Sequence, residues 1–425
     1  MPLLLKNASQ LVTCRAKNHL PKKGKYLSDI GLLRNSNVVT SKGKIDFIGD
    51  SKSLAKFIQK TGYEITHEID CSGKIVMPGF VDSHTHFVFA GEREGEYEMR
   101  IAGATYQEIA AKGGGILNTV KAVRRASKAT LKELGEQRLK NFVRYGTTTL
   151  EAKSGYGLDF SNEMKLLTVI NELASKNKYN LDIIPTFLGA HAVPPEISKE
   201  EYIQLVLYKM IPEISRRQLA VFIDVFCEKG YFNKSETIEI LSSGRQFGLI
   251  PKLHTEQFNV IGGIDAAIKE SAISVDHLEV LDEKGIKALS DYNSVKNSYM
   301  MATLLPGVSY FLDIRYQPAK DLISSNVPVA LATDFKPGSC MTENLQFIMS
   351  LASSKLKMKL EEIINAVTYN GACDVYRQDR VGSIEIGKQA DMLVMNMKTY
   401  KELVYHFGVN TIDYVIKKGR VVHKN

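Results

Sequence analysis

Between residues 80 and 333 the chain alternates eight short runs of β-branched and apolar residues with stretches of helical periodicity. The runs lie at 80–84, 147–151, 183–188, 221–226, 250–254, 273–277, 298–303 and 327–333. Helical patterns at 161–176, 199–216 and 236–247 fall between them, and another follows at 361–370. A compact apolar run followed by an amphipathic stretch of ten or more residues reads as a strand with a helical crossover. Eight such units predict an α/β fold of the (β/α)8 TIM-barrel type. The interval at 85–146 is long for a crossover and predicts loops and extra helices over the barrel mouth.

The two ends of the chain read differently. Residues 1–76 carry short apolar runs broken by turns, at 31–33, 37–40, 44–49 and 75–76, and the last forty residues return to this pattern at 390–395 and 413–422. Lys418-Gly419 divides the final run as a hairpin turn would. One small β domain, built from 1–76 with 385–425, is expected to flank a barrel over 77–384.

The 425 residues are 44% hydrophobic and 24% charged, the balance of a globular protein. The net charge of +8 is scattered, without the basic run or aromatic interleaving that nucleic-acid binding requires. Leu3-Leu4-Leu5 is too short for a signal h-region, and no stretch approaches a spanning helix. The five cysteines are an odd number without a CxxC pair, which predicts reduced thiols and a cytoplasmic protein with no membrane partner.

The polar residues that close the apolar runs carry the chemistry. Residues 74–82 read as one buried strand with a Pro-Gly break near its end, and His84 and His86 follow two apart. That spacing on a strand aims both imidazoles at one point, which is half of a metal site. Glu151, His191, Glu228, His254, His277 and Asp334 close or follow later runs. Singly each has an ordinary explanation: an Asp after a strand often caps the next helix or serves a turn. Five of the nine histidines at such positions point instead to a site at the C-terminal face of the barrel. Lys112 and Gly113–Gly115 lack the Gly-Lys-Ser/Thr ending of a phosphate loop and read as a loop near the site.

This series, HxH followed by strand-end histidines and a final Asp, resembles the amidohydrolase superfamily of metal-dependent hydrolases. Longer segments narrow the resemblance to its imidazolonepropionase family. They are Val-Asp-Ser-His-Thr-His-Phe-Val-Phe-Ala-Gly-Glu-Arg at 81–93, Lys-Ser-Gly-Tyr-Gly-Leu at 153–158 and Phe-Leu-Gly-Ala-His-Ala-Val-Pro at 187–194. Asp-Val-Phe-Cys-Glu at 224–228, Val-Asp-His-Leu-Glu at 275–279 and Leu-Pro-Gly-Val-Ser-Tyr-Phe at 305–311 complete the set.

The resemblance implies a barrel with a small β-sandwich and one Zn²⁺ or Fe ion per subunit, in a homodimer. The implied activity opens the ring of 4-imidazolone-5-propanoate to N-formimino-L-glutamate. It implies metal ligation by His84, His86, His254 and Asp334, a set suited to either metal. Catalytic roles fall on Asp334, His277 and Gln257, where the amide of Gln257 shifts proton transfer toward Asp334 and His277. Substrate contacts fall on Arg93, Tyr106, Tyr156, His191, Gln257, Lys336, Gly338 and Ser339. Arg93 is suited to grip the propionate with its planar fork. The segment Asp-Phe-Lys-Pro-Gly-Ser at 334–339 places Lys336 where the family pattern has Asn, and Lys336 is expected to contact the ligand carboxylate. The competing enzyme reading is another superfamily member, a ring deaminase or cyclic amidase. A metal-free structural homologue is disfavoured because the full ligand set is present.

Overall fold

The computed structural model describes residues 2–104, 108 and 114–425. Its centre is a parallel eight-stranded sheet: Phe80–Asp82, Thr147–Lys153, Asp182–Ala190, Phe222–Cys227, Ile250–Thr255, Ser274–His277, Met301–Leu304 and Val329–Leu331, each beside the next. All eight expected strands are present. The first and last strands meet through a parallel bridge between Thr85 and Phe335, not through a ladder. Asp334 N–H donates to the His84 carbonyl at 3.0 Å and His86 N–H to the Phe335 carbonyl at 3.0 Å. Below this bridge the buried Asp82 carboxylate accepts from the Thr333 N–H and hydroxyl, at 3.0 and 2.7 Å.

The helices start where the sequence supplies polar caps. Ser127, Asp159, Ser198, Asn233, Asp282 and Asn344 each accept a first-turn backbone N–H through their side chains. The long interval holds Glu94–Ile101, Ile116–Arg125 and Lys128–Arg144. The pattern at 199–216 is not one α-helix. A π-turn at Val206–Met210 separates Lys199–Leu205 from Ile211–Arg216, just ahead of Pro212, which has no N–H to continue an α-ladder.

A second, mixed sheet draws strands from both ends of the chain: Leu3–Val12, Leu32–Ser41, Lys44–Gly49, His67–Asp70, Ile75–Pro78, Met392–Met395, Ile412–Lys417 and Arg420–Lys424. Period-two alternation explains its two faces. Leu3, Leu5 and Val38 pack with Val76, Met392, Val394 and Ile416 inside the sandwich. Leu4 and Val39 face the other way, against Phe47 and the helix Ser51–Thr61. Lys418 and Gly419 both have positive φ, the conformation of a two-residue hairpin turn.

Residues 74–82 are not the single strand that the sequence suggested. Ile75–Pro78 pairs with Met392–Met395 in the sandwich, and Phe80–Asp82 opens the barrel. Gly79 makes the transfer possible. Its N–H donates to the Asp391 carbonyl on the sandwich side, and a Cβ there would lie 2.2 Å from the Thr148 hydroxyl. The five cysteines are free and buried. Among the described residues no helix is long and apolar enough to cross a membrane.

Candidate active site

His84 and His86 leave the first barrel strand toward the mouth, and the Thr85 bridge to Phe335 brings Asp334 against them. Asp334 Oδ1 lies 3.3 Å from His84 Nε2 and 3.4 Å from His86 Nε2. His254 ends the fifth strand, with its ring centroid 4.4 Å from that of His84. His277, on the adjacent strand, is 5.3 Å from His254 by the same measure. All five side chains are buried.

Three of the four rings face a carboxylate through Nδ1. His84 Nδ1 is 2.7 Å from Asp276 Oδ2, and His254 Nδ1 is 2.9 Å from Asp224 Oδ2. Asp224 also accepts the His254 backbone N–H at 3.1 Å. His277 Nδ1 lies 3.3 Å from Glu279, which in turn accepts from Gln317 at 2.9 Å. An Nδ1–H directed at a carboxylate leaves Nε2 as a lone-pair donor. Burial, with Lys153 and neighbouring histidines opposing further positive charge, holds His84 and His254 well below the usual imidazole range; burial lowers His86 to about 4. These rings are therefore neutral, the state a metal requires.

The donors also fit a divalent cation by what they lack. His84 Nε2, His86 Nε2, His254 Nε2 and both Asp334 oxygens are buried without hydrogen-bond geometry to any partner among the described residues. Buried polar atoms in a native core are otherwise nearly always satisfied. His84, His86 and Asp334 offer donor atoms within 4.8 Å of one another, as do His84, His254 and His277, so the cluster could hold a divalent cation. Burial works against the Asp334 carboxylate, but the Lys336 ammonium and the two imidazoles outweigh it and hold it well below the usual range.

Above this cluster lies a narrow cavity of about 70 Å³. Arg93, Tyr156, His191, Gln257, Lys336, Gly338 and Ser339 all line it, with His254 and His277 at its floor. Tyr106, with Lys112 and Gly113 of the glycine loop, lies outside the described residues. Arg93 is less free than an isolated loop arginine. Its Nε and Nη2 donate to Glu96 at 2.9 and 2.6 Å, and Nη1 donates to the Pro337 carbonyl at 3.1 Å. Two of its five N–H groups remain for a ligand. Lys336 Nζ is 3.0 Å from Asp334 Oδ2, so it meets the cluster itself as well as the cavity.

The sequence reading named His191 and Glu228 but missed Glu163, which helps to hold this wall in place. Glu163 is fully buried and accepts backbone N–H groups from Gly155, Gly157 and Leu158 at 2.7–3.2 Å. That carboxylate shapes the turn that carries Tyr156. His191 Nδ1 then bonds the Gly155 carbonyl at 3.0 Å, turning its other nitrogen to the cavity. Glu228 accepts from Phe258 N–H, Asn259 N–H and the Asn259 amide, which fixes the loop bearing Gln257. A signal for Glu163 existed in its place on the apolar face of the helix Phe160–Ser175, where a carboxylate needs a reason to be buried.

An Amidohydrolase family model matches residues 258–422. Imidazolonepropionase from Geobacillus sp. (strain WCH70) is 41% identical over 426 residues, covering 100% of this chain and 98% of that one. The chain belongs to the imidazolonepropionase family. Imidazolonepropionases from Geobacillus kaustophilus and Christiangramia forsetii are 42% and 40% identical, each over 99% of this chain and at least 98% of their own. Among solved structures, E. coli guanine deaminase aligns with a TM-score of 0.74 at 16% identity, over 99% of each chain. An adenosine deaminase from Xanthomonas campestris with bound zinc aligns at 0.70 and 15%, over 99% of this chain and 92% of that one. At these identities the two deaminases share the barrel-and-sandwich fold with the imidazolonepropionase family, and nothing finer.

Proposed function

We propose that this protein is a metal-dependent hydrolase that opens the ring of 4-imidazolone-5-propanoate to N-formimino-L-glutamate. The observation that carries this reading is the convergence of His84, His86, His254 and Asp334, buried and with all three Nε2 atoms unsatisfied, beneath a cavity lined by Arg93 and Lys336. Full-length identity near 40% to imidazolonepropionases supports the same substrate.

His84, His86, His254 and Asp334 would hold one Zn²⁺ or Fe ion. Such an ion supplies Lewis acidity and lowers the pKa of water toward ~7. Asp334 accepts the proton of the attacking water and returns it to the ring nitrogen as the C–N bond breaks. His277, oriented by Glu279, directs Nε2 toward the ring carbonyl. Gln257 has no proton to exchange and orients the ring by hydrogen bonds. Arg93, Tyr156 and His191 receive the substrate, with Tyr106 beside them. Lys336, Gly338 and Ser339 close over its carboxylate. Burial in this narrow cavity excludes bulk water and strengthens every charge contact. A homodimer and a cytoplasmic location belong to the same reading.

The test supplies freshly generated imidazolone propionate and follows loss of its ultraviolet absorbance, with and without a chelator. Chelator-sensitive loss that yields formimino-glutamate and no ammonia supports the reading. Ammonia release would move the protein to a ring deaminase, and inactivity of metal-replete protein would remove this substrate.

A further inference from the structure

Beneath the candidate metal ligands the barrel buries charges that the proposed reaction does not use. Lys153 and Lys252 lie among Glu151, Asp224, Asp276 and Asp374, and all six are fully buried. Lys153 is the shared member. Its Nζ is 2.7 Å from Asp224 Oδ2, 2.9 Å from Glu151 Oε2 and 3.7 Å from Asp276 Oδ2. Asp224 and Asp276 are the two carboxylates that face His254 Nδ1 and His84 Nδ1. One ammonium thus stands between the partners of two rings that come from different strands.

The backbone of the same residue acts on the same place. Lys153 N–H donates to the Thr85 carbonyl at 2.9 Å, and Thr85 is the residue between His84 and His86. The Thr85 hydroxyl donates to the Glu151 carbonyl at 2.6 Å. Residues 151 and 153 therefore fix the HxH segment by main chain, and Lys153 fixes its supporting carboxylates by side chain.

Resting on the metal reading of the site, we propose that Lys153 is a positioning residue for the metal. It locks Asp224 and Asp276 onto Nδ1 of His254 and His84, so that both Nε2 atoms are presented together. A plain counter-charge role makes the opposite prediction. A buried cation near the site repels a divalent ion, so its removal alone would tighten metal binding. Loss of a group that orients metal-ligating histidines weakens it, by roughly 10- to 100-fold.

The experiment measures Zn²⁺ dissociation constants by chelator competition for wild type, Lys153→Met and the charge-balanced double variant Lys153→Met/Glu151→Gln. The visible spectrum of each Co²⁺-substituted protein is recorded alongside. Both variants are expected to bind at least tenfold more weakly, with a shifted Co²⁺ ligand-field spectrum. Unchanged or tighter binding with a wild-type spectrum, in whichever variant folds, overturns the proposal. If wild type itself binds no metal, and His254→Ala changes nothing, the underlying metal reading fails instead.

Discussion

Gly338→Ala tests whether the cavity wall is set by contact between the eighth-strand loop and Arg93. Gly338 has φ +88, and a Cβ built on it would lie 2.2 Å from Arg93 Nη1 and 2.3 Å from Cζ. Relief to an ordinary contact of 3.4 Å requires the loop and the guanidinium to separate by about 1.2 Å. Glu96 holds the guanidinium through two donors, so the strain falls on the Pro337 contact and on the two N–H groups left for substrate. A charge-assisted hydrogen bond to carboxylate is worth ~1.5–3 kcal/mol, equivalent to roughly a 10- to 150-fold rise in KM. The positive φ adds ~1 kcal/mol of instability for a side chain, which Gly73→Ala reproduces alone, because Gly73 has φ +72 and open space around its Cβ. Initial rates across substrate concentration, with metal content measured in parallel, are the assay. KM is expected to rise tenfold or more in Gly338→Ala, with metal content unchanged and kcat little altered, while Gly73→Ala keeps wild-type kinetics. A folded Gly338→Ala with wild-type KM would refute the argument.

His254→Ala should lose bound metal by elemental analysis and reduce kcat/KM by about 1,000-fold or more. Lys336→Asn should raise KM by roughly tenfold through loss of a charged ligand contact; unchanged KM and kcat exclude that contact. Asp182 joins the third barrel strand to the sandwich, with Lys417 at 2.8 Å, Gln389 at 2.6 Å and Lys418 at 2.9 Å. Burial opposes its charge, but Lys417, Gln389 and Lys418 outweigh burial and lower its pKa. A depressed carboxyl pKa contributes stability that is complete above the unfolded value of ~3.9 and lost as pH falls through the folded one. Asp182→Asn should therefore cost ~1–2 kcal/mol in urea unfolding at pH 7, and the gap should narrow at pH 3. An equal gap at both pH values would rule out the ion-pair explanation.

The barrel was legible because its strands are compact apolar runs, most of them closed or followed by a polar residue. His84, His86, His254, His277 and Asp334 were visible for the same reason. Asp224 and Asp276 were legible as motif residues, yet their role was not. A sequence does not say that residue 276 meets residue 84 across the barrel. A subtler signal was present in Glu151 with Lys153 and Lys252 with His254, each two apart on a strand. That spacing points both members of a pair into the barrel, where charge must be matched. The division of 74–82 between two sheets was illegible because the apolar pattern continues through Gly79, and only the crowding by Thr148 shows why no side chain stands there.

The bridge between Thr85 and Phe335 gives the molecule a clasp. The candidate ligands His84 and His86 arrive on one side of it and Asp334 on the other, from opposite ends of the barrel sequence. A chain emerging from the ribosome therefore does not bring its candidate ligands together until its last strand has docked against its first. Premature chains, and barrels opened at that joint, lack the carboxylate edge of the site. Metal chemistry at this site would thereby be confined to molecules whose ring is shut.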